Sequence, residues 1–117
     1  MSDRQVPEVV RAHLDAFNAR DHEAVLATFG DDAVFSSADG LVIGRRALAV
    51  LFAEAFAVEA RAVLELRSAV VQGETSACEL VERITVGETV HELDVAVFYT
   101  VRDGLLARVR VYREAPE

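Results

Sequence analysis

An α+β fold, helices first and strands last, is what this sequence predicts, and three observations predict it. Before about Ala60, apolar residues recur at helical spacing in three segments. After about Ala60 they alternate with polar ones through four long stretches. Those stretches are joined by the tight-turn signatures "QGET", "VGET" and "RDG". Helices followed by a run of antiparallel strands make an α+β layout. Strands this long must twist, so they are expected to curl around the helices and leave a cone with an open mouth.

Each element has its own signal. Pro7 suits a first helical turn, where its missing N–H costs nothing. Val6, Val10, Leu14 and Phe17 then make one apolar face, with Val9, His13 and Ala16 beside it, to about Arg20. Asp21 is placed to cap a second, short helix whose Val25, Leu26 and Phe29 face inward and which Gly30 would stop. "AVFSS" reads as a short strand, "ADG" as a turn, and "LVIG" as the lead into a third helix with Leu48, Leu51, Phe52, Ala55 and Phe56 on its apolar stripe. The four long strands are "RAVLELRSAVV", "SACELVERITV", "VHELDVAVFYTV" and "LLARVRVYRE".

Composition narrows the function classes. With 117 residues the chain is read as one domain, 1–117, with one core. A formal charge of −8 argues against a nucleic-acid partner, which needs clustered Lys and Arg. Cys78 has no second cysteine to pair with, and "MSDRQVPEVV" lacks the apolar core of a signal peptide. No run approaches the roughly 18 apolar residues of a membrane span. The expectation is a bacterial-style cytoplasmic protein with no membrane association. His13, His22 and His91 show no metal-ligand spacing, and "GLVIGRRAL" is neither a phosphate loop nor a dinucleotide fingerprint. No metal and no cofactor are expected.

Three segments, "HLDAFNARDHEAVLATFGDDAVFSS", "GLVIGRRALAVLF" and "FYTVRDGLLARVRVYRE", in this order and spacing, resemble the NTF2-like superfamily over nearly the whole chain. The resemblance is to its small bacterial SnoaL-like and ketosteroid-isomerase-like members. It implies an NTF2-like cone: three N-terminal helices packed in a strongly curved, mainly antiparallel sheet. It also implies a pocket between sheet and helices, and in many members a homodimer through the outer sheet face.

Strand parity suggests which side chains line that pocket. With Asp103-Gly104 and Gly87-Glu88 as two-residue turns, Phe98 falls opposite Val109, Ala96 opposite Val111, and Asp94 opposite Arg113. One face then carries Glu79, Val81, Arg83, Glu92, Asp94, Ala96, Phe98, Ala107, Val109, Val111 and Arg113. The other carries Cys78, Leu80, Glu82, His91, Leu93, Val95, Val97, Tyr99, Arg108, Arg110 and Tyr112. A slip by one residue exchanges the sets. The first face suits a pocket. The second, with Arg and Tyr over apolar residues, suits a homodimer interface through Tyr99, Arg108, Arg110 and Tyr112.

The resemblance also tests two chemistries. Laid on the ketosteroid isomerases, the proton-moving aspartate falls on Ser37 and the oxyanion tyrosine on His13. The second aspartate falls on Ala96, or on Asp94 if the hairpin is two residues longer. Laid on limonene-type epoxide hydrolases, the arginine falls on Arg83, but the two aspartates fall on Thr85 and Val111. Neither activity keeps its full set. Asp31 and Asp32 read as solvated corner residues, and Asp39 as a turn former able to reach over the pocket mouth. Asp94, a carboxylate in mid-strand on the expected cavity face, is the leading acid–base candidate, with His13 beside it.

The resulting expectation is a hydrophobic small-molecule ligand held by Phe17, Phe35, Ser37, Phe52, Phe56, Phe98, Val109, Val111 and Arg113. Asp94, His13 and Asp39 are the candidate catalytic groups of a cofactor-independent isomerase, cyclase or dehydratase working by proton transfer. The alternative is a non-catalytic binding or accessory module that is dimeric.

Overall fold

The computed structural model describes residues 6–114; the first five residues, read above for a leader, lie outside them. Helix α1 (Glu8–Asn18) follows Pro7 and turns Val10, His13, Leu14 and Ala16 inward. Its end is sharp because Arg20 takes φ 56°, a left-handed conformation. The Arg20 guanidinium reaches across to the carbonyls of Phe56 and Val58. Helix α2 (His22–Ala27) is capped as expected, Asp21 Oδ1 accepting from the Ala24 N–H at 3.1 Å. Asp21→Ala is therefore expected to cost about 1 kcal/mol in urea unfolding.

The short helix stops earlier than Gly30. Phe29 and Gly30 belong instead to strand β1 (Phe29–Ser37), because β1 runs parallel to the last strand and the Leu106 N–H donates to the Thr28 carbonyl at 2.8 Å. This long-range pairing outweighs the local stop signal. "GLVI" is likewise a strand, β2 (Gly40–Ile43), folded back on β1, before helix α3 (Arg45–Ala57) buries Leu48 and Phe52.

The remaining strands are β3 (Arg61–Gln72), β4 (Thr75–Val86), β5 (Thr89–Arg102) and β6 (Leu105–Arg113). They join one curved sheet of order β2-β1-β6-β5-β4-β3, in which β1 and β6 alone are parallel. Asp103 (φ 56°) and Gly104 (φ 78°) both lie in the left-handed region, as a primed hairpin turn demands. No described helix is long and apolar enough to cross a membrane.

The register departs from expectation at one place, and the departure decides the site. Between β4 and β5 it is as read: Val81 faces Asp94, and Arg83 faces Glu92. Between β5 and β6 the turn starts in register, Arg102 opposite Leu105 and Val101 opposite Leu106. The next pair is Thr100 with Arg108, so Ala107 is an extra residue. This β-bulge inverts the parity of β5 against β6. Phe98 therefore faces Arg110, while Val97 faces Val111, Tyr99 faces Val109 and Val95 faces Arg113. The core is Phe29, Leu80, Val95, Val97, Tyr99 and Val109 from the sheet, packed on Val10, Leu14, Leu48 and Phe52 from the helices.

Candidate functional site

Between the concave sheet and helices α1 and α3 lies a small chamber of about 60 Å³. His13 and Phe17 of α1, Phe52 of α3 and Phe35 of β1 form one side; Leu80, Val95, Val97, Tyr99, Val109 and Val111 form the other. The helical residues reach it because positions 10, 13, 14 and 17 share one face of α1. Glu82 and Arg113 stand at the throat, bordering both this chamber and a wider mouth of about 360 Å³. Arg20, Ser37, Asp39, Phe56 and Ile84 are in the wall of that mouth.

The deep end is polar but uncharged. His13 is 4% exposed, with the edges of Phe29, Phe52 and Tyr99 around its ring. Its Nδ1 is 3.1 Å from Thr28 Oγ1, and the Thr28 hydroxyl itself donates to the Val25 carbonyl at 2.6 Å. The single hydroxyl hydrogen is thereby committed, so Nδ1–H must be the donor to Thr28. Nε2 is left as a bare lone pair. Burial disfavours the imidazolium and lowers the His13 pKa from 6.5 to about 4, so the ring is neutral at pH 7. Burial acts oppositely on Tyr99, holding its phenol protonated well above the ordinary tyrosine range, with Cys78 a lesser cause. The buried Cys78 thiol is itself pushed up to about 11, which makes it a packed side chain and not a nucleophile.

The throat carries the charge. Glu82 is 4% exposed, and both its oxygens face Arg113: Nε to Oε1 at 2.8 Å and Nη2 to Oε2 at 3.5 Å. An isolated carboxylate this deep would be costly; the arginine, about half exposed, makes it tolerable.

The expected residues separate into two groups. His13, Phe17, Phe35, Phe52, Val109, Val111 and Arg113 border the chamber, and Ser37, Asp39 and Phe56 the mouth. Asp39 donates its backbone N–H to Ser37 Oγ at 3.2 Å, the local turn contact its position suggests. Asp94 and Phe98 are corrections. The Ala107 bulge turns both to the outer face, where Asp94 is exposed beside Glu114, and Phe98 packs on Tyr112 under the Arg110 guanidinium. Asp94 is no cavity acid or base. Tyr99 moves the other way: it is 2% exposed inside the cone and is no part of an outer interface. Cys78, expected outside, is buried inside. Arg83 is also outside, held by Glu65 and Glu92 at 2.7 Å each.

Sequence reasoning missed Glu82 and Tyr99 as site residues. One signal was present: Glu82 and Leu80 share parity, as do Tyr99, Val97 and Val95, so the correct register would have brought all five inside together.

The arrangement is a cone-shaped pocket, apolar along its walls, with a neutral polar floor and an ion pair at its throat. The sequence profile of the SnoaL-like domain matches residues 10–109. The chain belongs to the SnoaL-like family. Among solved structures, this SnoaL-like protein is similar to an LEH-like epoxide hydrolase of M. tuberculosis at 22% identity, covering 91% of this chain and 80% of that one, TM-score 0.80. A protein of ketosteroid isomerase-like fold from Catenulispora acidiphila, solved with trimethylamine, is 20% identical over 92% and 86%, TM-score 0.83. The epoxide hydrolase/cyclase-like enzyme SalBIII, of pyran ring formation in the polyether salinomycin, is 19% identical over 92% and 88%, TM-score 0.80. At such identities these likenesses establish the fold of the SnoaL-like protein and not its reaction. No protein of curated function matches it.

Proposed function

We propose that this SnoaL-like protein binds a hydrophobic small molecule in the cone and moves a proton on it without a cofactor, Glu82 being the base. The observation that carries this reading is a carboxylate 4% exposed, paired with Arg113, at the throat of a cavity with apolar walls. A ligand carbonyl lodged at the throat would place an adjacent C–H against Glu82. The proton passes to a Glu82 oxygen, and the enolate formed is left facing the Arg113 guanidinium, which is best placed to offset its charge. Return of the proton to another carbon completes an isomerisation. Two proteins of this fold carry the names of an epoxide hydrolase and an epoxide hydrolase/cyclase-like enzyme, so in other chains such a cone hosts chemistry on small organic molecules.

The test is deuterium exchange into 2-tetralone, followed by NMR in D2O. The wild type is expected to accelerate exchange, and Glu82→Gln to lower that acceleration by about 100-fold or more while the ketone still binds. Equal exchange by the two proteins would remove Glu82 as base. The alternative, a binding module without turnover, is favoured by the engagement of both Glu82 oxygens by Arg113; ligand binding with no exchange above background would establish it.

We also propose a homodimer through the outer sheet face, centred on Arg110 and Tyr112 with Arg108 at its edge. Supporting it, Arg110 lies 5.4 Å over the Phe98 ring, and Tyr112, edge-on to that ring, is 54% exposed. Arg110→Glu is expected to halve the mass measured by light scattering; an unchanged mass would place the interface elsewhere or show a monomer.

A further inference from the structure

We propose that the floor of the chamber is a subsite for a neutral hydroxyl group, an alcohol, phenol or enol, read by His13 Nε2 as acceptor and the Tyr99 hydroxyl as donor. This rests on the reading that a small molecule occupies the cone, and adds which end of it goes in first.

Both rings border the chamber, with centroids 6.0 Å apart. Neither His13 Nε2 nor the Tyr99 hydroxyl has a hydrogen-bond partner among the described residues. Neither is sealed off, either. Ser76 Oγ is the one buried side-chain polar atom among the described residues that lacks both a partner and open space. His13 and Tyr99 both line the chamber, so whatever fills it pairs with these two polar atoms or leaves them dry.

Their polarities are fixed by their surroundings. Thr28 takes the Nδ1–H, so Nε2 can only accept unless the ring ionises, and burial opposes that. Burial likewise keeps the proton on Tyr99, which can donate. A ligand hydroxyl accepts from Tyr99 and donates to Nε2, satisfying both. A ketone or ether satisfies Tyr99 alone and sets an oxygen lone pair against that of Nε2. A carboxylate does the same while carrying a charge into a chamber where Arg113, the one arginine or lysine among its described lining residues, is already bound to Glu82. Size agrees: about 60 Å³ is below the roughly 150 Å³ that admits a benzene ring, so the hydroxyl and the ring edge bearing it enter while the body stays in the mouth.

The experiment compares 2-naphthol, naphthalene, 2-methoxynaphthalene and 2-naphthoate at pH 7. Each is read by its own fluorescence, which a chain without tryptophan leaves clear. Wild-type protein is expected to bind 2-naphthol about tenfold more tightly than naphthalene, with the methyl ether no better than naphthalene and the carboxylate weaker. In Tyr99→Phe the preference for 2-naphthol should fall to about twofold, naphthalene affinity being unchanged. Equal binding of 2-naphthol and naphthalene by the wild type, or a methyl ether or carboxylate matching 2-naphthol, overturns the subsite and leaves the pocket standing. If naphthalene and 2-naphthol both fail to bind, the small-molecule reading falls as well.

Discussion

Phe52→Ala is expected to lower the unfolding free energy by about 4 kcal/mol. Phe52 is 4% exposed and touches the rings of His13, Phe17, Phe29, Phe35 and Phe56. Truncation removes the transfer free energy of a buried ring and several edge-on contacts, each contributing about 0.5–1.5 kcal/mol. The space left behind merges with the chamber, and collapse around it is opposed by the sheet on one side and α1 on the other. Urea unfolding at constant m-value measures the loss. A loss below about 2 kcal/mol would mean that the aromatic wall is loosely packed and the chamber has no fixed shape. Phe52→Leu, which keeps most of the volume, should lose less than half as much.

The second large effect is a stability difference that depends on pH. The His13 pKa is lowered from 6.5 to about 4 by burial, so between those values the unfolded chain takes up a proton that the folded chain refuses. Above pH 6.5 both states are neutral here, and the group's contribution is constant. As pH falls from 6.5 towards 4, stability is lost progressively, by roughly 3 kcal/mol in all. Below the folded value both states are protonated and the loss levels off. The quantity to measure is the difference between wild type and His13→Leu, in which everything the two proteins share cancels. That difference should shift in favour of the variant as pH falls through this window. Parallel curves for the two proteins would show that His13 is solvated.

Most of the fold was legible because its signals are local. The 3.6-residue spacing of Val10, His13, Leu14 and Phe17 put the histidine and the phenylalanine on the inner face of α1, and each turn signature fell between two strands. The termination of α2 was not local: Phe29 and Gly30 leave the helix for a pairing with a strand some 75 residues later, which no neighbouring residue announces.

The site was half legible for a related reason. In β5 both parities are apolar, Val95, Val97 and Tyr99 against Ala96 and Phe98, so alternation does not say which set is buried. The turn then decides, and the bulge at Ala107 has neither the glycine nor the proline that would have flagged it. Hence Asp94 was expected inside and Glu82 outside, and the fold reverses the two. A buried glutamate also runs against the rule that strands turn their charges to water. Such conflicts between pattern and position gather at functional sites.

The most direct measurement of the central claim is a methyl NMR titration of the valines with 2-naphthol. Val95, Val97, Val109 and Val111 border the chamber, whereas Val34, Val63 and Val70 share the outer-face parity of Arg108, Arg83 and Ala77. Shifts concentrated on the first four methyl sets, with Val34, Val63 and Val70 unmoved, are the expected result. Shifts concentrated on the second set would place the binding surface on the outer sheet and contradict the cone as the functional site.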